Sequence, residues 1–377
     1  MASKKKKVQS PVKKGSPHSS GLSLAIIILV SCGLTLAGLF VYFRLQVPPA
    51  PKTPPEKIRI STYADVNRLV EEELLTSSHS PGWKRLAGTA DPVRLQMLGD
   101  YPESLRLMEL ATRIALTDSP AQLDLAPRKG IVRVYWQGVL RMELRYKVSE
   151  KLLQQRPMVA IIMDDMGRDM ASFSSLLALS LSLTPAILPQ TSFATRGAKF
   201  LTDKNHEYMI HLPMEPKKYP SISPGPDALL LSLDADELKA RIQRYLKRVP
   251  GAVGGNNHMG SSFTEDRTAM HTVLEELKSS GLFFVDSRTI GDSVAFDEAR
   301  RMGMKTAQRN IFLDNEENVS YISQQIRKMV KIAEDKGVVI AICHPYPQTF
   351  QALRENERWL HDQRVDFVLA SRLVKNY

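Results

Sequence analysis

Two adjacent carboxylates, Asp164 and Asp165, end a short apolar run, Met158-Val159-Ala160-Ile161-Ile162-Met163. The run has the length of a buried strand, and α/β enzymes place their chemistry at the C-terminal ends of strands. Successive side chains of a strand alternate in direction, so the two acids can take different tasks, one binding a metal and one acting as a base. The plain alternative is an Asp-Asp-Met-Gly turn whose carboxylates cap the next helix. Further polar residues follow later apolar runs: His211 with Glu215 four residues on, Asn257 with His258, Asp286, Arg309 with Asp314, and His344. Aspartate and histidine together suit zinc or another divalent transition metal. Such an ion polarises a carbonyl and activates water, while a free carboxylate takes a proton and a histidine across the site protonates a leaving amine. The set suits metal-assisted hydrolysis of an amide or ester, and the chain has no Gly-x-Ser-x-Gly nucleophile motif.

The elements that must position these residues alternate. Apolar runs at 158–163, 183–188, 208–212, 251–255, 282–286, 304–307 and 338–343 read as strands, with helical periodicity at 234–248, 266–280 and 318–336 between them. Alternation of this kind implies a parallel sheet covered by helices, with all strand ends on one rim. Seven strands suit a distorted (β/α) barrel. Upstream, 58–150 reads as a small α+β domain. The segment 63–75 has helical spacing with Ala64, Leu69, Val70 and Leu74 on its apolar face, 103–116 repeats it, and 130–146 alternates like a hairpin bent at Gln137-Gly138. Tyr135, Trp136 and Tyr146 are read as core of that unit in preference to a sugar-stacking surface.

The net charge of +11 is partly local: Lys4, Lys5, Lys6, Lys7, Lys13 and Lys14 precede the first acid, Glu56. Residues 1–20 form a basic tail and 21–43 an uncharged apolar stretch long enough to cross a bilayer as a helix. The lysines before it against Arg44 after it put the N-terminus in the cytoplasm and the rest outside, at the inner membrane and in the periplasm of a cell with an outer membrane. Leu29-Val30-Ser31-Cys32 offers a lipobox alternative, although the apolar run continues to Phe43. Five prolines stiffen the linker 44–57. The only other cysteine is Cys343, which excludes a disulfide framework and a cysteine zinc site. The charge is explained by topology, and no nucleic-acid motif appears.

The stretches IIMDDMG, HEYMIHLPMEP, GGNNHMGSS, FFVDSRT, RNIFLDN and AICHPYPQT together resemble the divergent polysaccharide deacetylase family, over 156–377. The resemblance implies a distorted (β/α) barrel of the NodB type, a metal-dependent deacetylase ancestry and carbohydrate substrates. It makes Asp164 the base, Asp165 and His211 metal ligands, and His344 the general acid. Glu215 stands where a second ligand histidine is expected, so either Glu215 or His258 completes the metal set. Asn257, Asp286 and Arg309 fall on the rim as substrate-binding residues, with an Asp286–Arg309 pair as the structural alternative, and Asp314 as a helix cap near Asn318 or a supporting group.

The expectation is a membrane-anchored, exported, zinc-dependent hydrolase that removes acetyl groups from a cell-envelope polysaccharide, with peptidoglycan within reach of the tether. The replaced histidine supports an alternative, a catalytically inactive glycan-binding or scaffolding module. An exported phosphodiesterase or other esterase is a third.

Overall fold

The computed structural model describes residues 62–75, 82–86, 91–102, 104–115 and 120–376. The basic tail, the apolar stretch 21–43 with Cys32, and the linker 44–57 lie outside the described residues. Among the described residues no helix is long and apolar enough to cross a membrane.

The first sheet has five strands: β1 (Trp83–Arg85), β2 (Val93–Asp100), β3 (Ala121–Ala126), β4 (Ile131–Trp136) and β5 (Val139–Lys147), in the order β1-β2-β5-β4-β3. The β4–β5 hairpin turns at Gln137-Gly138, both at positive φ (52° and 76°), the backbone a two-residue I′ turn needs. Helices Tyr63–Val70 and Ser104–Ala115 pack on this sheet through Val66, Leu69, Val70, Leu107, Leu110 and Ile114. Ala64, expected on the apolar face, is exposed, and Val66 takes its place. Tyr146 is buried, while Tyr135 and Trp136 are half-buried.

The second sheet is parallel throughout. Its strands are β6 (Met158–Met166), β7 (Leu183–Ile187), β8 (Met209–Met214), β9 (Gly254–Met259), β10 (Phe283–Asp286), β11 (Thr306–Gln308), β12 (Ile311–Phe312), β13 (Val338–Cys343) and β14 (Asp366–Phe367). The order is β11-β10-β9-β8-β7-β6-β13-β12, with β14 added beside the start of β6. The expected seven-strand barrel is therefore a curled nine-stranded sheet that hydrogen bonds do not close. Strands β11 and β12 are its two edges, yet only Arg309 and Asn310 separate them in the chain. A two-residue link cannot span a flat sheet of eight strands about 4.8 Å apart, so the sheet has to curl until its edges meet.

The curl divides the apolar residues by strand alternation. Val159, Ile161 and Met163 of β6 face the surrounding helices, as do Ile210, Phe284 and Ala341. Ala160 and Ile162 face the inside of the curl with Met209, Phe283, Val285, Ile340 and Ile342. Residues 159–163 are fully buried, each large side chain contributing about 1.5–3 kcal/mol relative to exposure. The helices start where the sequence supplies caps: Asp234 accepts the Glu237 N–H, Asp266 the Ala269 N–H and Asn318 the Tyr321 N–H. Asn318 caps the helix Val319–Lys336, which leaves Asp314 free for another role.

Candidate active site

The site continues the inward phase of the strands past their apolar part. Inside the curl, 160 and 162 lead to Asp164, 209 to His211, 285 to Ser287, and 340 and 342 to His344; on β9 Asn256 and His258 share the phase. Register brings them together, since His211 lies beside Asn256, Pro213 beside His258, and Cys343 beside Met163. Asp165 would point outward by alternation. It adopts φ +56° at a register shift between Met163 and Met166, which turns its carboxylate back toward the same centre. A left-handed residue other than glycine costs about 1–2 kcal/mol, and such strain collects where function requires it. Met259 and Arg288, at φ +53° and +46°, are bent in the same way at the ends of their strands.

Three potential ligand atoms converge. Asp165 Oδ1 lies 3.0 Å from His258 Nδ1 and 3.3 Å from His211 Nε2, and the two ring nitrogens are 3.2 Å apart. These spacings approach the edge of about 3.3 Å expected when ligands surround a tetrahedral ion at ~2.0–2.1 Å. Among the described residues this is the group that could hold a metal ion. Glu215, the other candidate, turns away: its Oε2 accepts the Leu231 N–H at 2.9 Å.

Proton counting tests the fit. Asn256, fully buried, donates from Nδ2 to Asp164 Oδ1 at 2.8 Å and to Ser287 Oγ at 3.2 Å, so its Oδ1 faces His211 Nδ1 at 2.8 Å. His211 Nδ1 therefore carries the hydrogen, and its Nε2 presents a lone pair to Asp165 and His258. With neutral histidines at most one proton, on His258 Nδ1, is left to serve two acceptors. Asp165 Oδ1 is buried and neither nearby nitrogen is aligned to donate to it. The three atoms want a cation. Burial would push the Asp165 carboxyl up, but His211 and His258 hold it well below the carboxylate range. Burial would lower His211, and Asp164 and Asp165 raise it instead, so that without an ion the ring tends to take a second proton at Nε2, where a cation would otherwise sit. Burial raises Asp164 against the pull of His211 and His344.

Across the site stands a second pair. Asp314 Oδ1 lies 3.0 Å from His344 Nδ1, and its Oδ2 accepts the His344 N–H at 2.6 Å and the Thr349 hydroxyl at 2.8 Å. Burial opposes the charged ring, but Asp314 outweighs it and lifts His344 to about 9. The ring is therefore protonated at neutral pH, with Nδ1 tied to Asp314 and Nε2 left to act. Phe312 stacks on it with centroids 6.2 Å apart. A cavity of about 240 Å³ opens beside Asp165, lined by Gly167, Arg168, Ser172, Pro345 and Tyr346.

The residues expected to bind substrate are each engaged by other groups of the chain. Asn257 has the opposite strand phase: it is buried, its Oδ1 accepts the Ser287 N–H and its Nδ2 donates to the Met259 carbonyl. Asp286 is also off-phase, accepting the Arg288 N–H and the Ser293 hydroxyl, and burial raises its carboxyl. Arg309 does not pair with the Asp286 carboxylate. Its guanidinium donates to the carbonyls of Ser287 and Arg288 and sits 3.8 Å from the Phe312 ring centre; burial lowers it to about 10. Asn256 and Ser287, beside the expected residues in the sequence, are the ones that continue the inward phase of their strands.

The sequence is similar to those of known proteins. The chain is 34% identical over 197 residues to the uncharacterized protein YibQ of Escherichia coli, covering 52% of this chain and 61% of that protein. It is 32% identical over 200 residues to an uncharacterized protein of Haemophilus influenzae, covering 53% of this chain and 71% of that one. The fold resembles that of an uncharacterized protein from Agrobacterium tumefaciens, with a TM-score of 0.56 at 22% identity over 58% of this chain and 90% of the other. Residues 161–374, more than half of the chain, match the family model for divergent polysaccharide deacetylases, and the chain belongs to that family.

Proposed function

We propose that the chain is an exported, membrane-anchored hydrolase that removes N-acetyl or O-acetyl groups from a cell-envelope polysaccharide. The observation that carries this reading is the convergence of Asp165, His211 and His258 beside Asp164, with a protonated His344 across the site. Two imidazoles and one carboxylate are a donor set for zinc, which Asp165, His211 and His258 would hold, and which when bound polarises a carbonyl and activates water. Asp164 is the base. Its Oδ1 is held by Asn256, so its Oδ2, 3.6 Å from His211 Nε2, is the oxygen left to take a proton. His344 is the acid, donating from Nε2 to the departing amine or alcohol while Asp314 stabilises its charge. The cavity between Gly167 and Tyr346 adjoins Asp165 and would seat part of the sugar.

In this reading, 21–43 is the anchor in the inner membrane and the basic tail stays in the cytoplasm. Residues 58–150 are an accessory domain before the catalytic one at 156–377, and peptidoglycan is the polymer within reach. The test is metal content of the purified full chain beside Asp165→Ala and His211→Ala, followed by acetate release from N-acetylated and O-acetylated glycans. Near-stoichiometric zinc that both substitutions abolish, with acetate released by the loaded protein, supports the reading. An intact chain that takes up no zinc or other divalent ion overturns it and leaves a glycan-binding module.

A further inference from the structure

We propose that Asn256 is a positioning residue that fixes the tautomer of His211 and the orientation of Asp164 together, so that one amide prepares both the ligand and the base. The inference rests on the metal-dependent reading above and extends it to a residue that touches neither ion nor substrate.

The geometry is specific. Asn256 is fully buried on β9, beside His211 on β8 and Val285 on β10. Its Nδ2 hydrogens go to Asp164 Oδ1 and Ser287 Oγ, and its Oδ1 meets His211 Nδ1. The amide therefore spans side chains from β6, β8 and the end of β10. A carboxamide offers a donor and an acceptor on one planar group, and the site needs both. The acceptor holds the hydrogen on His211 Nδ1 and leaves Nε2 for Asp165 and His258, while the donor restrains the carboxylate of Asp164. Groups that orient a ligand histidine in this way typically account for about 10–100-fold in metal affinity. A buried asparagine that merely satisfied its own amide would have no reason to engage the base and the ligand at once.

The two roles separate under substitution. Asn256→Asp keeps an acceptor for His211 Nδ1–H and loses the donor to Asp164. Asn256→Leu keeps the branched four-atom skeleton, with somewhat more volume, and loses both. Ser287→Ala removes only the third hydrogen bond and serves as the control. The measurements are zinc affinity of the full chain by competition with a chelator, and ¹⁵N-histidine NMR of the zinc-stripped protein, at a pH high enough for the His211 ring to be neutral, to read its tautomer. The expected result is the Nδ1–H tautomer in the wild type, Asn256→Asp and Ser287→Ala, and its loss in Asn256→Leu. Zinc affinity is expected to fall about 10–100-fold in Asn256→Leu and to stay within a few fold in the other two. Asn256→Leu with unchanged tautomer and affinity overturns the inference. Should Asn256→Leu not fold, an Asn256→Asp protein that loses the Nδ1–H tautomer overturns it as well. A wild type that binds no zinc sinks the metal reading instead, and the tautomer spectra still decide what Asn256 does.

Discussion

The two sheets bury charge in opposite ways. In the mixed sheet β1–β5, Glu143 is buried but carries its own counter-ions: Arg133 at 2.9 Å and Arg145 at 2.7 Å, with Asp124 on the far side of Arg133 at 3.0 Å. Every charge has an opposite charge within reach, and nothing is left for a ligand. In the curled sheet, Asp164, Asp165, His211 and His258 converge with more acceptors than protons. A buried charge matched by its neighbours maintains a fold, whereas a buried surplus of lone pairs calls for an ion from outside.

The sharpest way to break that comparison is to remove one side chain from each cluster and measure both metal and stability. Asp165→Ala or His211→Ala is expected to weaken zinc binding by more than about 100-fold, beyond what an orienting neighbour contributes. Glu143→Ala is expected to leave zinc affinity unchanged. Zinc binding that follows Glu143, or ignores His211, would erase the distinction.

A second contrast lies at opposite ends of the pH range. His344 has its folded pKa raised to about 9 from 6.5, so the stability it contributes is full below about pH 6.5 and disappears as pH rises through 9. The shift corresponds to roughly 3 kcal/mol at most. Glu143 is depressed: burial would raise it, and the hydrogen bonds from Arg145 and Arg133 outweigh that. Its contribution is full above the ordinary glutamate range and is lost as pH falls through the lowered pKa. Melting curves should therefore show Asp314→Asn flattening the alkaline slope between pH 7 and 10, and Glu143→Ala flattening the acid one. An alkaline slope that survives Asp314→Asn would assign it to other groups.

At neutral pH, Glu143→Ala should cost about 1–3 kcal/mol by chemical denaturation. That is less than the full penalty for breaking a buried pair, because Arg133 and Arg145 reach water and Arg133 keeps Asp124. The smallest effect is expected where the first sheet meets the helix Val319–Lys336. Lys129 pairs there with Asp335 at 2.7 Å, both partly exposed, and Lys129→Ala should cost no more than about 1 kcal/mol and vanish in high salt.

Much of this arrangement can be read in the residues, and the exceptions have physical causes. Strands β6, β7, β8, β10 and β13 are marked by the apolar runs that burial on both faces demands, whereas β9 reads GGNNHM and begins at Gly254, at the end of the run expected over 251–255, and β11 is only the three residues TAQ. Strands β12 and β14, two residues each, have no run to mark them. His211 and Asp164 stand out because they end apolar segments. The choice between Glu215 and His258 was invisible, because it depends on Glu215 bonding to Leu231 and on β8 lying beside β9. Which of the adjacent Asn256 and Asn257 faces the site depends on strand phase, and that is fixed only once Gly254 is known to begin β9. The turn of Asp165 into the site is implied only by the family resemblance, because strand alternation would point it outward and only the left-handed backbone reverses that.

The two-residue link between β11 and β12 has a bearing on self-association. An open parallel sheet normally presents two unpaired edges on which another chain can build, a route to aggregation. Here the edge strands are three and two residues long, and Arg309-Asn310 holds them at one seam. Asn310 spends its side-chain oxygen on the Ile340 N–H at 2.8 Å, and Arg309 spends its guanidinium on the carbonyls of Ser287 and Arg288. The seam that forces the sheet to curl also uses up donors and acceptors with which a second copy could have paired.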